Sequence, residues 1–311
     1  MNYTKLQKAG LQISQIGLGT NAVGGHNLFT NVNEHEGTKM IEEALFQGIT
    51  FLDTADAYGF GRSEELIGET IKGKRQDLVL ATKGGIQLLS DGSTCVNNKP
   101  TYIRNAVENS LRRLQTDYIY LYYLHFTNPE TMYIDSIGEL VRLKEEGKIR
   151  SIGISNVNLT QLEEANQFGN IDVLQSPYNM LDRTAEKELL PYCIEKGISF
   201  IPYGPLAFGI LGGKYTEDLK LDEKDWRQDV SLFEEHTYKK NLMKVEKLKD
   251  FARKKDTTLS NIALVWLLNQ RGIDTVIPGG KRAEQVKENV KVVDVSLHES
   301  DLEYVQSILE D

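Results

Sequence analysis

The sequence has few cysteines and no long hydrophobic run. Its 311 residues include only two cysteines, Cys95 and Cys193, too few for a disulfide framework or a zinc site. No apolar stretch is long enough to cross a bilayer, and the first ten residues lack the apolar centre of a secretory signal. We therefore expect a cytoplasmic protein with no metal site and no membrane association, and Cys95 receives no role.

Positive charge is also scarce. The chain carries 36 Lys and Arg against 45 Asp and Glu, a formal net charge of -9. A nucleic-acid-binding surface needs a basic patch, so this balance argues against a nucleic-acid partner. A local group of Lys and Arg in an acidic chain instead indicates a small anionic ligand. No Pro/Ser-rich linker or repeat divides the sequence, and we expect one domain over residues 1–311.

Short apolar runs alternate with amphipathic helical segments along the whole chain. The runs are almost continuous in Val, Ile and Leu, which is typical of parallel strands buried on both faces. Eight such β–α units at this length favour an α/β fold of the closed (β/α)8, or TIM, barrel type over an open sheet. The predicted strands are 13–20, 49–55, 77–83, 117–125, 149–155, 171–176, 198–203 and 274–279.

Capping residues mark the predicted helices. Asn33, Asn158 and Thr184 precede helical segments that end at glycines, and another segment opens at Asn128-Pro129. Pro191 predicts a kink in the segment after Thr184.

Three further segments stand outside the eight repeats. The first residues predict a hairpin that turns at Ala9-Gly10 and covers the barrel floor, and 299–311 predict an extra C-terminal helix. The long seventh-to-eighth connection predicts a loop to about residue 238, followed by helices over 239–255 and 259–270.

Polar residues follow several predicted strands, at the end of a barrel where active sites form. Asp53 ends the second strand and Tyr58 lies in the loop beyond it, while Lys83 and His125 end the next two strands. A buried Lys or Asp is costly unless it is paired, and Asp53 with Lys83 would satisfy that rule. The alternative is that each side chain simply faces solvent at a loop edge.

The sequence resembles the aldo-keto reductases over nearly its whole length. Successive phrases match the order of the family's motifs: GLGTNAVGG, FLDTADAYGFGRSEELIG, LVLATK, LYYLH, IRSIGISN, DVLQSPYN and VIPGGKRAEQVKENV. The resemblance is strongest to bacterial members of the branch related to potassium-channel β-subunits. It implies NADPH-dependent, reversible reduction of a small-molecule aldehyde or ketone, with NAD(H) as a weaker alternative, and leaves the oligomeric state open.

The resemblance also implies a catalytic role for four residues. Tyr58 would donate a proton to the alkoxide oxygen left by hydride transfer, although a free phenol has a pKa of about 10. Lys83 is expected to lower that pKa by stabilising the phenolate, and Asp53 to hold Lys83. His125 would hydrogen-bond the substrate oxygen.

Cofactor contacts are implied in the same way. Ser155, Asn156 and Gln175 match residues that grip the nicotinamide carboxamide, and Tyr203 matches the aromatic platform under the ring. Lys281 and Arg282, at a predicted helix start, would favour the 2′-phosphate of NADP. The remaining predicted cofactor-binding residues are Gly19, Thr20, Asn21, Asp53, Gly204, Pro205, Leu206, Lys214, Gly280, Gln285, Glu288 and Asn289.

The chain departs from the family's pattern at two places. Gln285 stands where many members have Arg, which leaves Lys281 and Arg282 to hold the phosphate. Phe126-Thr127 stands where Trp-Pro often follows the catalytic histidine, which predicts a differently shaped pocket. Candidate pocket-wall residues are Asn21, Phe29, Phe60, Phe126, Phe208 and Trp226.

Two other functions remain open on the sequence. A Schiff-base aldolase could use Lys83 as its nucleophile, but the 281–289 cluster and Tyr203 would then have no role. A non-enzymatic NADP(H)-sensing or partner-binding module would not need all four catalytic residues.

Overall fold

A parallel β-sheet forms the centre of the protein in the computed structural model, which describes residues 1–128, 130–223 and 225–310. The strands are β1 Tyr3–Leu6, β2 Leu11–Ser14, β3 Leu18–Gly19, β4 Phe51–Asp53, β5 Val79–Gly84, β6 Ile86–Leu88, β7 Thr94–Val96, β8 Ile119–Leu124, β9 Ile149–Ser155, β10 Val173–Pro177 and β11 Ser199–Tyr203. Seven of them pair side by side in the order β11-β10-β9-β8-β5-β4-β3.

The segment 273–279 closes this sheet into a barrel. Ile273 bridges Phe200 of β11, while Val276 bridges Ile16 and Gly279 bridges Gly19 on the other side, all in parallel orientation. The segment therefore fills the eighth strand position with isolated bridges rather than a continuous ladder. The predicted (β/α)8 barrel is confirmed.

The N-terminal hairpin covers the floor of the barrel. β1 and β2 pair antiparallel around Gly10, whose φ of 67° is a left-handed conformation that glycine adopts readily. Leu6 and Ile13 are completely buried and pack with residues from inside the barrel, among them Phe51 and Leu121. The predicted position of the hairpin is confirmed.

Helices surround the barrel and pack on the outward faces of its strands. They are α1 Glu34–Phe46, α2 Arg62–Thr70, α3 Pro100–Arg113, α4 Tyr133–Glu145, α5 Leu159–Ala165, α6 Leu189–Lys196, α7 Glu235–Lys254, α8 Leu259–Leu268, α9 Ala283–Val290 and α10 Glu299–Glu310. Asn33 and Asn158 cap α1 and α5 as predicted, since each side chain accepts a backbone N–H of its helix. None of the helices in the described ranges is long and apolar enough to span a bilayer.

Several predicted boundaries are wrong. The strand predicted over 13–20 is split, because Ile13 pairs with Thr4 in the hairpin before the chain turns into β3. Pro191 does not kink a helix: it is the third residue of α6, where a backbone N–H would have no intrahelical partner. The loop predicted to reach residue 238 ends earlier, where α7 begins at Glu235.

Two predicted helices extend beyond the described residues. Pro129, part of the predicted start at Asn128-Pro129, and Asp311, the last residue of the predicted C-terminal helix, lie outside them. Within the described part, α4 begins at Tyr133 and α10 ends at Glu310.

Candidate active site

A buried ion pair lies at the C-terminal end of the barrel strands. Asp53 ends β4 and Lys83 lies near the end of β5, and both are at most 2% exposed. The Lys83 ammonium contacts Oδ1 of Asp53 and donates to the carbonyl oxygen of Thr54 at 2.8 Å. Two charges buried here are each compensated, as the sequence predicts for this pair.

Tyr58 reaches the same ammonium from a tight turn. It begins a short 3-10 turn over 58–61, in which Gly59 and Gly61 have φ angles of 62° and 100°. A Cβ atom at Gly59 would lie 1.9 Å from the carbonyl oxygen of Gly24, so only glycine fits there. The turn brings the Tyr58 ring centroid to 5.3 Å from Nζ of Lys83.

The pKa of Tyr58 is set by opposing effects of burial and charge. Burial raises the pKa of the phenol above its usual value, and the nearby Asp53 carboxylate raises it as well. Lys83 lowers the same pKa, as expected, but does not outweigh burial. The phenol therefore keeps its proton at neutral pH.

Lys83 is a stable cation at this site. Burial alone would lower the pKa of its ammonium, but Asp53 and then Tyr58 outweigh that effect and raise the pKa above its ordinary value. A protonated amine is not a nucleophile. This arrangement disfavours the Schiff-base alternative.

His125 faces Tyr58 across the mouth of the barrel. The two rings meet edge to face with centroids 6.1 Å apart, and His125 is 8% exposed. Burial, and then the charge of Lys83, lower the pKa of His125 well below its usual value, so the imidazole is neutral. A neutral imidazole can donate one ring N–H to a polar ligand, and its Nδ1 has no partner within the described residues.

A chain of hydrogen bonds joins the ion pair to the predicted nicotinamide contacts. The Gln175 side chain donates to Oδ2 of Asp53 at 2.8 Å, and the Gln175 backbone carbonyl oxygen accepts from the Ser155 hydroxyl at 2.9 Å. Asn156 donates to the carbonyl oxygen of His125 at 3.0 Å and accepts from the Tyr203 hydroxyl at 2.9 Å. The sequence-predicted residues at the ends of six strands, β4, β5, β8, β9, β10 and β11, are thus brought together.

The hydrogen-bonded network contains amide and phenol groups, which are the group types suited to a nicotinamide ring and its carboxamide. Asn156 has a φ of 56°, a left-handed conformation that Asn tolerates better than most residues. Tyr203 is half-buried at the end of β11, where its ring is fixed by the bond to Asn156. Burial raises the pKa of Tyr203 to about 12, so this phenol also stays neutral.

Three other predicted cofactor-binding residues, Gly19, Thr20 and Asn21, lie at or just after the end of the first barrel strand. The Thr20 side chain is completely buried and donates to the Asp53 carbonyl oxygen at 2.9 Å, which supports Asp53 from below. Oδ1 of Asn21 would lie 3.3 Å from a Cβ atom at Gly279, so Asn21, Gly19 and the closing segment are neighbours.

The predicted phosphate-binding residues follow the seventh and eighth strand positions. Lys214, beyond the turn over 207–212, and Arg282, the residue before α9, are exposed and have no carboxylate within 4.0 Å among the described residues. Because no carboxylate in the described part of the chain pairs with these two cations, they are available to bind an anionic group such as a phosphate. Gln285 instead accepts the backbone N–H of Lys281 at 2.7 Å, while Glu288 accepts from Thr258 and Asn261.

An aromatic cluster lies beside these segments. Trp226 meets Phe208 and Phe29 edge to face, with centroids 5.2 Å and 6.5 Å apart, and the Lys281 ammonium lies 4.8 Å from the Phe29 centroid. The Phe126 ring, another predicted pocket-wall residue, packs on His125 with ring centroids 4.9 Å apart. Trp226 therefore joins two other predicted pocket-wall residues, and Phe126 covers His125.

Sequence reasoning missed several features of the site. The Thr54 carbonyl is a backbone group with no sequence signature, and the bond from Gln175 to Asp53 joins residues 122 positions apart. The hairpin of β6 and β7 was also missed; it follows Lys83 directly and contains exposed Cys95. Alternation across Ile86–Leu88 is too short to separate from a loop.

Comparison with known proteins identifies a family. The model of the aldo/keto reductase family matches residues 15–310. Aldo-keto reductase YhdN from Bacillus subtilis is 35% identical over 100% of this chain and 94% of its own length. An NADH-specific methylglyoxal reductase from Escherichia coli is 32% identical over 96% of both chains.

Solved structures give the same result. The glycerol dehydrogenase AKR11B4 from Gluconobacter oxydans has a TM-score of 0.90 at 30% identity, covering 99% of this chain and 94% of that one. The holo form of aldo-keto reductase AKR11C1 from Bacillus halodurans has a TM-score of 0.82 at 31% identity, covering 99% and 96%. Fold and sequence similarity extend over nearly the whole chain.

Proposed function

The chain belongs to the aldo/keto reductase family and is an NAD(P)H-dependent oxidoreductase acting on small-molecule carbonyl compounds; from this premise we propose that Tyr58 is its proton donor. The observation that carries the proposal is the proximity of a protonated phenol to a buried ammonium whose pKa is raised above its ordinary value. This pair can give up a proton and stabilise the negative charge that remains.

Each of the other three residues has a separate part in the reaction. A reduced nicotinamide, when bound, would supply the hydride for the carbonyl carbon. Tyr58 donates its proton to the carbonyl oxygen as negative charge develops there, and Lys83 stabilises the charge that passes to the phenol oxygen. His125, neutral at this pH, donates a hydrogen bond to the same carbonyl oxygen. Asp53 fixes Lys83 through their ion pair.

The cofactor contacts are proposed on the chemistry of the side chains. Ser155, Asn156 and Gln175 would hold the carboxamide, because they combine amide and hydroxyl groups beside Asp53. Arg282 and Lys281 would hold a 2′-phosphate, and their exposed charges support NADPH over NADH. One domain over 1–311 and a cytoplasmic location remain predictions.

The names of two relatives suggest a substrate class. One is called a methylglyoxal reductase and the other a glycerol dehydrogenase, and both names refer to three-carbon oxygenated compounds. We propose that this protein reduces small aldehydes or ketones of that kind. A substrate panel containing methylglyoxal, with NADPH and NADH absorbance followed in parallel, tests both the substrate class and the cofactor preference.

Replacing Tyr58 by Phe tests the proton donor. We expect Tyr58→Phe to reduce kcat for carbonyl reduction by about 10²–10⁴-fold, because general acid catalysis is lost. NADPH affinity, measured by fluorescence titration, should stay nearly unchanged. The matched control is Tyr102→Phe, which removes a hydroxyl bonded to the carbonyl oxygen of Ile86 away from the site.

Two outcomes would contradict the assignment. Substantial turnover by Tyr58→Phe would remove Tyr58 as the acid. NADPH binding by the wild-type protein without turnover across the carbonyl panel would instead support the cofactor-sensing alternative.

A further inference from the structure

A second buried phenol lies directly beneath the four catalytic residues. Tyr123, in β8, is completely buried inside the barrel and is the register partner of Lys83 in β5. It belongs to the inner cluster that also contains Phe51 and Leu121. None of the steps proposed for the reaction uses this residue.

The barrel makes specific room for this ring. Gly153 of β9 is the register partner of Tyr123 on the other side. A Cβ atom at Gly153 would lie 2.2 Å from Cδ1 and 2.6 Å from Cε1 of Tyr123. The ring therefore lies against the bare backbone of Gly153, and any larger residue there would displace it.

The ring of Tyr123 faces the Lys83 ammonium. Nζ of Lys83 is 5.7 Å from the Tyr123 centroid and 5.3 Å from the Tyr58 centroid, so the cation lies near two aromatic faces. Both distances are within the range of cation–π attraction, which is stronger where water is excluded. Lys83 is 1% exposed, so the attraction acts without competition from solvent.

The hydroxyl of Tyr123 contributes less than the ring. It has no hydrogen-bond partner of good geometry within the described residues. Burial raises the pKa of this phenol well above its usual value, and the neighbouring Asp53 carboxylate adds to that effect. The hydroxyl stays neutral and is not a second proton donor.

We propose that Tyr123 is a positioning residue for Lys83: its ring supports the ammonium from inside the barrel and keeps it charged beside Tyr58. The proposal rests on the proposed function of Tyr58 and Lys83 and adds a residue that acts through Lys83. It assigns the role to the aromatic face, so Phe at position 123 should serve and Leu should not.

The experiment compares Tyr123→Phe with Tyr123→Leu in the full-length protein. We expect Tyr123→Phe to keep kcat and the pH–rate profile close to those of the wild type. Tyr123→Leu should lower kcat by about tenfold, the size expected for loss of one desolvated cation–π contact. The KM for NADPH should change little in either variant, because Tyr123 has no proposed contact with the cofactor.

The pH profile provides a readout that a purely structural role would not change. Reduction needs Tyr58 as the neutral phenol and Lys83 as the charged ammonium, and the two groups titrate as a coupled pair. Loss of the ring destabilises the ammonium, so the alkaline limb of kcat should move to lower pH in Tyr123→Leu. Within the described residues the rings over the Lys83 ammonium are those of Tyr58 and Tyr123. Phe51→Leu, which removes another ring of the same inner cluster, is therefore the matched control and should leave the limb in place.

The outcomes separate this proposal from the one it rests on. Carbonyl reduction by the wild type together with its loss in Tyr58→Phe would uphold the proposed function. A folded Tyr123→Leu with the wild-type kcat and pH profile would then overturn only the role of Tyr123. An equal shift in Phe51→Leu, or in Tyr123→Phe, would also overturn it; if Tyr123→Leu does not fold, Tyr123→Met replaces it with the same expected shift.

Discussion

At the scale of single residues, one loop places two carboxyl groups in opposite environments. Asp53 contacts the ammonium of Lys83, whereas Asp56 is 9% exposed and its Oδ1 has no partner within the described residues. The nearest cation on the helix side, Arg113, donates to Glu64 at 2.6 Å. Burial, and then the charge of Glu64, raise the pKa of Asp56 well above its usual value, although Arg113 and Lys83 oppose them.

This difference predicts a pH-dependent effect of Asp56→Asn. The pKa of the Asp56 carboxyl is about 3.9 in the unfolded chain and higher in the folded protein. Between these two pKa values the folded state binds more protons than the unfolded state. Wild-type stability contributed by protonated Asp56 is therefore lost as pH rises through that window. The variant does not titrate, so its Tm relative to wild type should be higher at pH 8 than at pH 4.5.

The measurement is thermal unfolding at both pH values. An exposed carboxyl, Asp91→Asn, is the control and should show no such gain at pH 8. A Tm difference for Asp56→Asn that is constant with pH would contradict the protonated state of Asp56.

The sequence predicted the four catalytic positions because each ends or follows a strand, and barrel strands expose their C-terminal ends at one face. It could not predict which effect dominates the pKa of Tyr58. Lys83 was correctly expected to lower that pKa, but the degree of burial depends on how the turn at Gly59 folds over Gly24. The relative size of the two effects on the pKa therefore depends on the folded structure and cannot be read from the sequence.

At the scale of elements, the N-terminal hairpin contributes apolar side chains to the inside of the barrel. Leu6 is completely buried, while the adjacent Lys5 is exposed on the same strand. This alternation is the period of two expected for a strand with one covered face. The hairpin therefore seals the end of the barrel opposite the catalytic residues.

Leu6→Ala tests the energetic weight of the hairpin. Removing a fully buried leucine side chain should lower the free energy of unfolding by about 2–5 kcal/mol. Lys5→Ala, on the exposed face of β1, should change it by less than about 0.5 kcal/mol. Urea unfolding followed by circular dichroism measures both; equal effects would mean that the hairpin does not seal the core.

Element boundaries were predictable where local chemistry decides them. Asn158 accepts the backbone N–H of Gln161 in a reciprocal capping box, a pattern carried by the residues themselves. Pro191 was misjudged because its effect depends on where the helix starts, and α6 starts only two residues earlier. The split between β2 and β3 depends on pairing with the hairpin and with β4, which are contacts distant in sequence.

At the scale of the whole molecule, an acidic chain has, in the part that the structure describes, two exposed cations without an ion-pair partner on the segments proposed to bind the cofactor phosphate. The net charge is -9, yet Lys214 and Arg282 have no ion-pair partner among the described residues. A dinucleotide with an extra phosphate should therefore stabilise the folded protein more than one without it.

Thermal unfolding with each dinucleotide tests this expectation. A ligand at 100 times its Kd adds about 2.7 kcal/mol to stability, so at equal concentration the tighter ligand gives the larger Tm increase. We expect NADPH to raise Tm more than NADH, and Arg282→Ala to remove the difference. Arg271→Ala, an exposed arginine elsewhere, is the control; equal Tm shifts for the two dinucleotides in the wild type would defeat the 2′-phosphate assignment.

The architecture was predictable from periodicity, since eight apolar runs separated by helical segments allow few folds. Closure of the barrel was harder to predict, because isolated bridges at 273, 276 and 279 fill the eighth strand position instead of a regular strand. The run DTVIPG marks the segment, but a proline at 278 limits the ladder it can form.

The hydrogen-bonded chain from Lys83 through Asp53, Gln175, Ser155 and Asn156 to Tyr203 draws on five strands that are up to 150 residues apart in sequence. No fragment synthesised early can assemble it, because β10 and β11 emerge from the ribosome long after β4 and β5. We therefore expect catalytic competence to arise late, in a single step, during biosynthesis. Recovery of enzyme activity after dilution from denaturant should lag behind recovery of helix content, and so report completion of the barrel.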